Sequence, residues 1–241
     1  MNVKLVLAGL SALIFSALAT PAQAINLVTN GSFEQTSLST SGFLTNSDVT
    51  GWTTTSGYTF EVFPGTETTT GIGNGVKLYP GAGGTIPTSP DGFKYLAADG
   101  GYQTGTTSQT INGLVVGQKY ALTFYQAAAQ QQGYTGATTD YWQVSLGAET
   151  HNSTVMNNPS QSFTGWQAQS LLFTATATSE VLGFMAVGTP SGQPPFALLD
   201  GVALNAVPEP ATWTLMIIGL LAIFAARAWY NRRDLMPAEA D

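Results

Sequence analysis

Lys119-Tyr120-Ala121-Leu122-Thr123-Phe124-Tyr125 decides the fold class of this chain. Tyr120, Leu122 and Phe124 share one face of an extended backbone. Ala121, Thr123 and Tyr125 share the other, which is the period of two expected of a half-buried β-strand. Residues 58–63 alternate in the same way. Working outward, further strand candidates are residues 26–29, 75–79, 92–97, 107–111, 141–146, 167–174, 180–187 and 196–204. Asn74-Gly75, Asp91-Gly92, Asp99-Gly100 and Asn112-Gly113 supply turn chemistry between them. No helical period appears before residue 211, and many short strands joined by Gly-rich turns predict an all-β, antiparallel sandwich.

Two apolar segments bracket that region. Residues 1–24 place Lys4 before an apolar stretch over 5–19 and end in Ala22-Gln23-Ala24, the small-x-small cleavage pattern of a secretory signal peptide. Cleavage after Ala24 starts the mature chain at Ile25. At the other end, Val207-Pro208-Glu209-Pro210 precedes an apolar run over 211–226, followed by Arg227, Arg232 and Arg233. About 20 residues are needed to cross roughly 30 Å of hydrocarbon, so a transmembrane helix is expected over residues 211–230. Trp213, Trp229 and Tyr230 then mark the interfaces, and the arginines face the cytoplasm. Residues 234–241 form an acidic cytoplasmic tail.

The exported segment, residues 25–206, is long enough for one domain with a sizeable core. It holds ten Asp and Glu against Lys77, Lys94 and Lys119. An acidic surface of this kind repels phosphate backbones, so nucleic acid is not an expected partner. Thr, Ser, Gly, Asn and Gln give it a neutral polar coat suited to sugars or ice. The chain has no cysteine, so disulfides and thiolate metal sites are excluded, and any staple comes from packing or a hard cation.

Little points to catalysis. His151 is the only histidine and stands in a polar stretch, with no nucleophile elbow and no metal-ligand spacing around it. Glycoside hydrolysis needs two facing carboxylates, which spacing alone does not assemble, and no enzyme activity is expected. Tyr102 and Tyr134, in Gly-rich loops with Gln103, Gln131 and Gln132 nearby, have the composition of a saccharide platform, exposed rings beside amides. The alternative is that they are ordinary loop tyrosines.

The tail resembles the PEP-CTERM sorting signal in its Pro-Glu-Pro, apolar span and arginines, in that order. The resemblance implies export through the inner membrane, transient anchoring there, and cleavage near Pro208-Glu209-Pro210 by exosortase, followed by residence at the cell surface or in the extracellular matrix. A plain anchor that is never cut is the alternative.

A second resemblance spans nearly all of the exported segment. Leu27-Val28-Thr29-Asn30-Gly31-Ser32-Phe33-Glu34, Gly51-Trp52, residues 108–127 (SQTINGLVVGQKYALTFYQA), 166–175 (WQAQSLLFTA) and 198–204 (LLDGVAL) together resemble the galactose-binding-like jelly roll common among carbohydrate-binding modules. It implies a strand carrying Phe33 near the last strand, Trp52 and Trp166 in the core, and extracellular polysaccharide as a partner. It also implies a structural calcium held by Glu34 and Asp200 with help from Asn30. A surface or floc component without a ligand site and an ice-surface binder remain alternatives. Thr53-Thr54-Thr55 and the threonines of 66–70 offer hydroxyls but not a regular ladder.

Overall fold

In the computed structural model the strand expected at 119–125 runs from Lys119 to Gln130, and its two halves differ. The first half alternates between buried and more open positions, while every residue from Gln126 to Gln130 is buried. The structure describes residues 25–55, 57–64, 71–73, 75–80, 84, 88–208 and 212–233. The expected signal peptide with Ala22 and Ala24, the Glu209-Pro210 pair and the acidic tail lie outside the described residues.

In chain order the strands begin with β1 (Gly42–Phe43), β2 (Thr53–Thr54), β3 (Thr59–Val62), β4 (Gly71–Gly73), β5 (Val76–Lys77), β6 (Tyr95–Asp99) and β7 (Thr106–Asn112). They continue with β8 (Lys119–Gln130), β9 (Thr138–Leu146), β10 (Glu149–Asn152), β11 (Met156–Asn158), β12 (Gln167–Thr174), β13 (Ser179–Thr189) and β14 (Pro195–Ala206). One six-stranded sheet has the order β1-β3-β6-β14-β8-β12. The other six-stranded sheet runs β10-β9-β13-β7-β2, with β11 also paired to β9, and β4 and β5 form a separate ribbon. The pairings within both large sheets are antiparallel. The two sheets form the expected sandwich.

Alternating strands place Trp52, Phe124, Trp142, Phe184 and Leu199 between the sheets. A second cluster, including Phe60, Tyr95, Phe196 and Leu198, lies on the opposite face of the first sheet. This corrects the expectation for residues 58–63. The four residues of β3 are all buried, because loops cover the face that alternation left open to solvent. Trp52 is a core residue as expected, whereas Trp166 is only partly buried, packed against the second cluster.

Residues 26–29 are not a strand, and Phe33, with φ 54°, sits in a left-handed turn rather than in an extended segment. The opening segment is still bound to the last strand. Leu27 N donates to Leu204 O at 3.0 Å, and Val202 N donates to Gly31 O at 2.9 Å. Gly31 is required there, since a Cβ would lie 1.9 Å from Val202 O.

Residues from Pro208 onward form a separate unit, with one helix, α1 (Thr212–Arg233). Leu215, Ile218, Leu221, Ile223 and Phe224 of this helix are exposed. Among the described residues no helix is long and apolar enough to cross a membrane. The helix falls on the segment where a transmembrane span is expected over 211–230, described here from residue 212 onward. α1 has 22 residues, and at 1.5 Å per residue it rises about 33 Å.

Candidate functional site

The site forms where β6, the end of β8 and the approach to β14 meet. Asp99, the last residue of β6, begins a turn in which its Oδ1 accepts hydrogen bonds from Gly101 N at 2.8 Å and Tyr102 N at 3.0 Å. This is the local hydrogen bonding for which Asp favours turns. The turn projects Tyr102 outward, and Gln103 continues it in a left-handed conformation with φ 47°. Its backbone is tied back to β3, with Tyr58 N donating to Gln103 O at 2.8 Å and Asp99 N donating to Tyr58 O at 2.9 Å.

These ties set Tyr58 edge-on to Tyr102, with ring centroids 6.3 Å apart at 74°. From the other side, Gln131 follows β8 and its N donates to Pro194 O at 3.2 Å. The result is a cleft of about 560 Å³ lined by Tyr58, Asp99, Tyr102, Gln103, Gln131 and Tyr134, together with Ser191, Gly192 and Pro194. Tyr102 is 57% exposed and Tyr134 40% exposed, so both present ring surface to solvent. Asp99 is buried at the cleft's base. Burial pushes its carboxyl up to about 6 against the opposing pull of the Gly101 and Tyr102 amides.

The structure therefore brings together Tyr102, Tyr134 and Gln131, which the sequence singled out. Gln132 is turned away, donating to Leu78 O. Tyr58 and Asp99 are the additions. Tyr58 reads in sequence as the start of an alternating strand and Asp99 as a turn residue, and nothing in either pattern reports that the two loops meet. His151 is not near this group. Its Nε2 lies 2.8 Å from Glu149 Oε1, and its ring packs against Phe173.

The residues expected to hold calcium separate into two kinds. Asn30 is committed elsewhere: its Nδ2 donates to Gln35 O and Thr50 O, its Oδ1 accepts from Gln35 N, and its carbonyl accepts from Trp52 Nε1. These bonds close the turn after the first segment. Glu34 Oε1 accepts from Phe93 N at 2.6 Å and Lys94 N at 2.8 Å.

Asp200 is different. It is fully buried, and neither carboxylate oxygen has a hydrogen-bond partner among the described residues. Burial pushes its carboxyl up to about 7. The nearby Ser89 hydroxyl and Gly201 amide oppose that rise, and the negative charges of Asp91 and Glu34 add to it. Among the described residues no three acidic or histidine side chains are grouped as a metal cage. Asp200 keeps two buried, unpartnered oxygens of the kind a hard cation takes.

In the sorting segment, Val207 still belongs to the sandwich unit. Its N donates to Lys119 O and its carbonyl accepts from Gln118 Nε2. Pro208 is exposed, Arg227 lies on an exposed face of α1, and the backbone of Arg232 and Arg233 completes that helix.

No curated protein matches the chain. Among solved structures it is similar to a family 61 carbohydrate-binding module in complex with β-1,4-galactotriose, at 14% identity and a TM-score of 0.41, covering 76% of this chain and 99% of that one. It is also similar to the CBM22-1 xylan-binding domain of Paenibacillus barcinonensis Xyn10C, at 13% identity and 0.39, covering 79% and 100%. The cleaved K3 adhesin domain of Lys-gingipain from Porphyromonas gingivalis is matched at 12% identity and 0.40, covering 76% and 99%. Residues 206–233 match the PEP-CTERM protein-sorting motif, so the chain carries a PEP-CTERM sorting segment directly behind its β-sandwich.

Proposed function

We propose that this is an exported surface or matrix protein, sorted by exosortase, whose galactose-binding-like jelly roll binds extracellular polysaccharide. The observation that carries the reading is the cleft. Tyr58, Tyr102 and Tyr134 converge there with the amides of Gln103 and Gln131. Rings offer flat faces to the apolar side of a pyranose, and amides supply both donors and acceptors to its hydroxyls. Among the described residues, Asp99 is the only carboxylate lining the cleft. Hydrolysis calls for two carboxylates across the bond, so the reading is binding without turnover. The PEP-CTERM match supports export and exosortase processing.

Affinity electrophoresis through gels cast with neutral polysaccharides, galactans and xylans among them, tests the cleft. Retardation of the wild-type chain and loss of about tenfold or more in affinity for Tyr102→Ala are expected, since an aromatic platform contact contributes on the order of 1–2 kcal/mol. No retardation in any gel, or equal retardation of wild type and Tyr102→Ala, would sink it and favour a surface component without a ligand site. Sorting is tested separately. Glu209→Ala is expected to leave a larger form in cells that normally release a shorter one, and unchanged release would count against exosortase cleavage. The ice-binding alternative draws no support from β2, whose Thr53 and Thr54 form a two-residue edge strand, while residues 66–70 lie outside the described residues.

A structural calcium near Asp200, with Asp91 and Glu34 as neighbouring carboxylates, belongs to the same reading. What supports it is the pair of unpartnered oxygens on a fully buried carboxylate. Chelation is then expected to lower the melting temperature by several degrees.

A further inference from the structure

The inner face of β9 ends in polar side chains that none of the preceding accounts uses. Thr138 and Asp140 share the buried face of this strand with Trp142, Val144 and Leu146, which belong to the inter-sheet core. On the neighbouring β11, Met156 stands opposite Asp140 and Asn158 opposite Thr138. Met156 is also a core residue, so Asn158, two positions on, occupies the same face. Cross-strand partners bring Cβ atoms to about 4.5–5.5 Å and alternate residues on one strand lie about 6–7 Å apart. The three polar side chains therefore form one patch.

That patch is sealed and consists of oxygens. Thr138 is 2% exposed, Asp140 0% and Asn158 1%. Thr138 Oγ1, both carboxylate oxygens of Asp140 and Asn158 Oδ1 have no hydrogen-bond partner among the described residues. The Asn158 amide is held by its Nδ2 bond to Ser162 O at 3.0 Å, so its oxygen is not spent on that contact. No basic side chain balances Asp140, since the one ion pair among the described residues joins His151 to Glu149.

An ionised carboxylate in such a place costs several kcal/mol unless something neutralises it. A proton removes the charge and adds one O–H donor, but the Thr138 hydroxyl, the other donor to hand, makes no hydrogen bond to either Asp140 oxygen, so oxygens are still left over. A hard cation satisfies all of them together. Calcium takes six to eight oxygens in irregular geometry, carboxylate, amide and hydroxyl or carbonyl alike, whereas magnesium insists on a small octahedron.

We propose that Thr138, Asp140 and Asn158 form a buried calcium site at the end of β9, distinct from the Asp200 neighbourhood. The register supports it further. Gly188 of β13 faces Asp140, and a Cβ there would come 2.8 Å from Asp140 Oδ1 and 2.5 Å from Pro195 Cγ. The glycine thus leaves the carboxylate the room it needs. Gly188 N also donates to Gly100 O, in the turn that begins at Asp99, so an ion at Asp140 lies behind the turn that presents Tyr102. The Asp99 charge acts unfavourably on ionised Asp140, and a bound cation offsets that repulsion.

The test uses the full chain, stripped with chelator and dialysed against calcium, with bound metal measured directly. Asp140→Asn is expected to bind one calcium fewer than its parent, both in the wild-type background and in Asp200→Asn. Terbium supplies a second readout, because Trp142 lies two residues from Asp140 on the same face. Terbium emission excited through tryptophan should be displaced by calcium, not by magnesium, should survive Asp200→Asn and should vanish in Asp140→Asn. If Asp140→Asn does not fold, Thr138→Val keeps the shape and removes one ligand, and a calcium affinity weakened about tenfold is expected. A stripped wild-type chain that takes up no calcium, or folded variants that bind the wild-type amount with unchanged affinity, would overturn the site.

Discussion

Around β3, β6 and the end of β8 the two faces of the first sheet are both buried, but by different means. Its inner face meets the second sheet, and Phe184 of β13 is the centre of that contact, with ring centroids 6.2 Å from Trp52, 5.3 Å from Phe124 and 6.0 Å from Trp142. Its outer face carries Phe60, Tyr95, Phe196 and Leu198 under Val76, Leu78, Phe163 and Trp166. Those covering residues come from short segments held by single bridges, Leu78 to Gln131 and Phe163 to Ala129. Equal burial therefore rests on unequal support. A sheet holds its partner through a whole ladder, whereas a loop can settle into a space that opens beneath it. The cleft belongs to the outer side, since Tyr58 packs edge-on against Phe60 at 4.9 Å before reaching Tyr102.

Phe184→Ala should show the largest effect. With aromatic neighbours fixed on two sheets, it is expected near the upper end of the roughly 3–5 kcal/mol typical of buried Phe truncation, measured by denaturant unfolding. Phe60→Ala removes an equally buried ring from the outer face and is expected to cost about 3 kcal/mol, because the covering loops relax into the cavity. An equal or larger loss at Phe60 would break the comparison.

The next effect depends on pH. The register places Glu61 opposite Leu96 on the inner face, where it is fully buried and accepts one hydrogen bond, from Thr36 Oγ1 at 2.6 Å. Burial pushes its carboxyl from 4.5 up to about 7, opposed by the Thr36 bond and by Lys94. The folded state thus binds this proton more tightly than the unfolded chain. The stabilisation is complete below about pH 4.5 and is lost as pH rises through 7. Glu61→Gln should flatten that slope and leave the variant more stable than wild type at pH 8, by on the order of 1–2 kcal/mol after screening. Parallel pH profiles for the two proteins would show that Glu61 does not titrate in this way.

The smallest stability change is expected at the rim. Tyr102→Ala should alter unfolding free energy by no more than about 0.5 kcal/mol, as is usual for exposed side chains, while abolishing most polysaccharide binding. A large destabilisation there would mean that the tyrosine supports the outer face instead of offering itself to a ligand.

Much of this organisation is present in the order of residues alone. Alternation in 119–125 and 167–174 defines strands because one face of each meets a core, and a period of two is the direct trace of one-sided burial. Pro208-Glu209-Pro210, the apolar run and the arginines are contiguous, so the sorting segment needs no folding to be read. The Gly-rich settings of Tyr102 and Tyr134 mark them as loop residues with exposed rings. What alternation does not report is a second covering layer, which is why β3, β6 and the end of β8 are buried on both faces. Phe33, which the jelly-roll resemblance places on a strand, lies in a left-handed turn, close to where Gly31 presses against Val202. Tertiary structure alone decided that Tyr58 and Asp99 join the cleft, that Asn30 is spent on its own turn, and that Asp140 and Asp200 are left without partners. Each of these depends on which distant segment arrives to donate a hydrogen bond or exclude water, and that is set by strand pairing across the sandwich, not by neighbours in the chain.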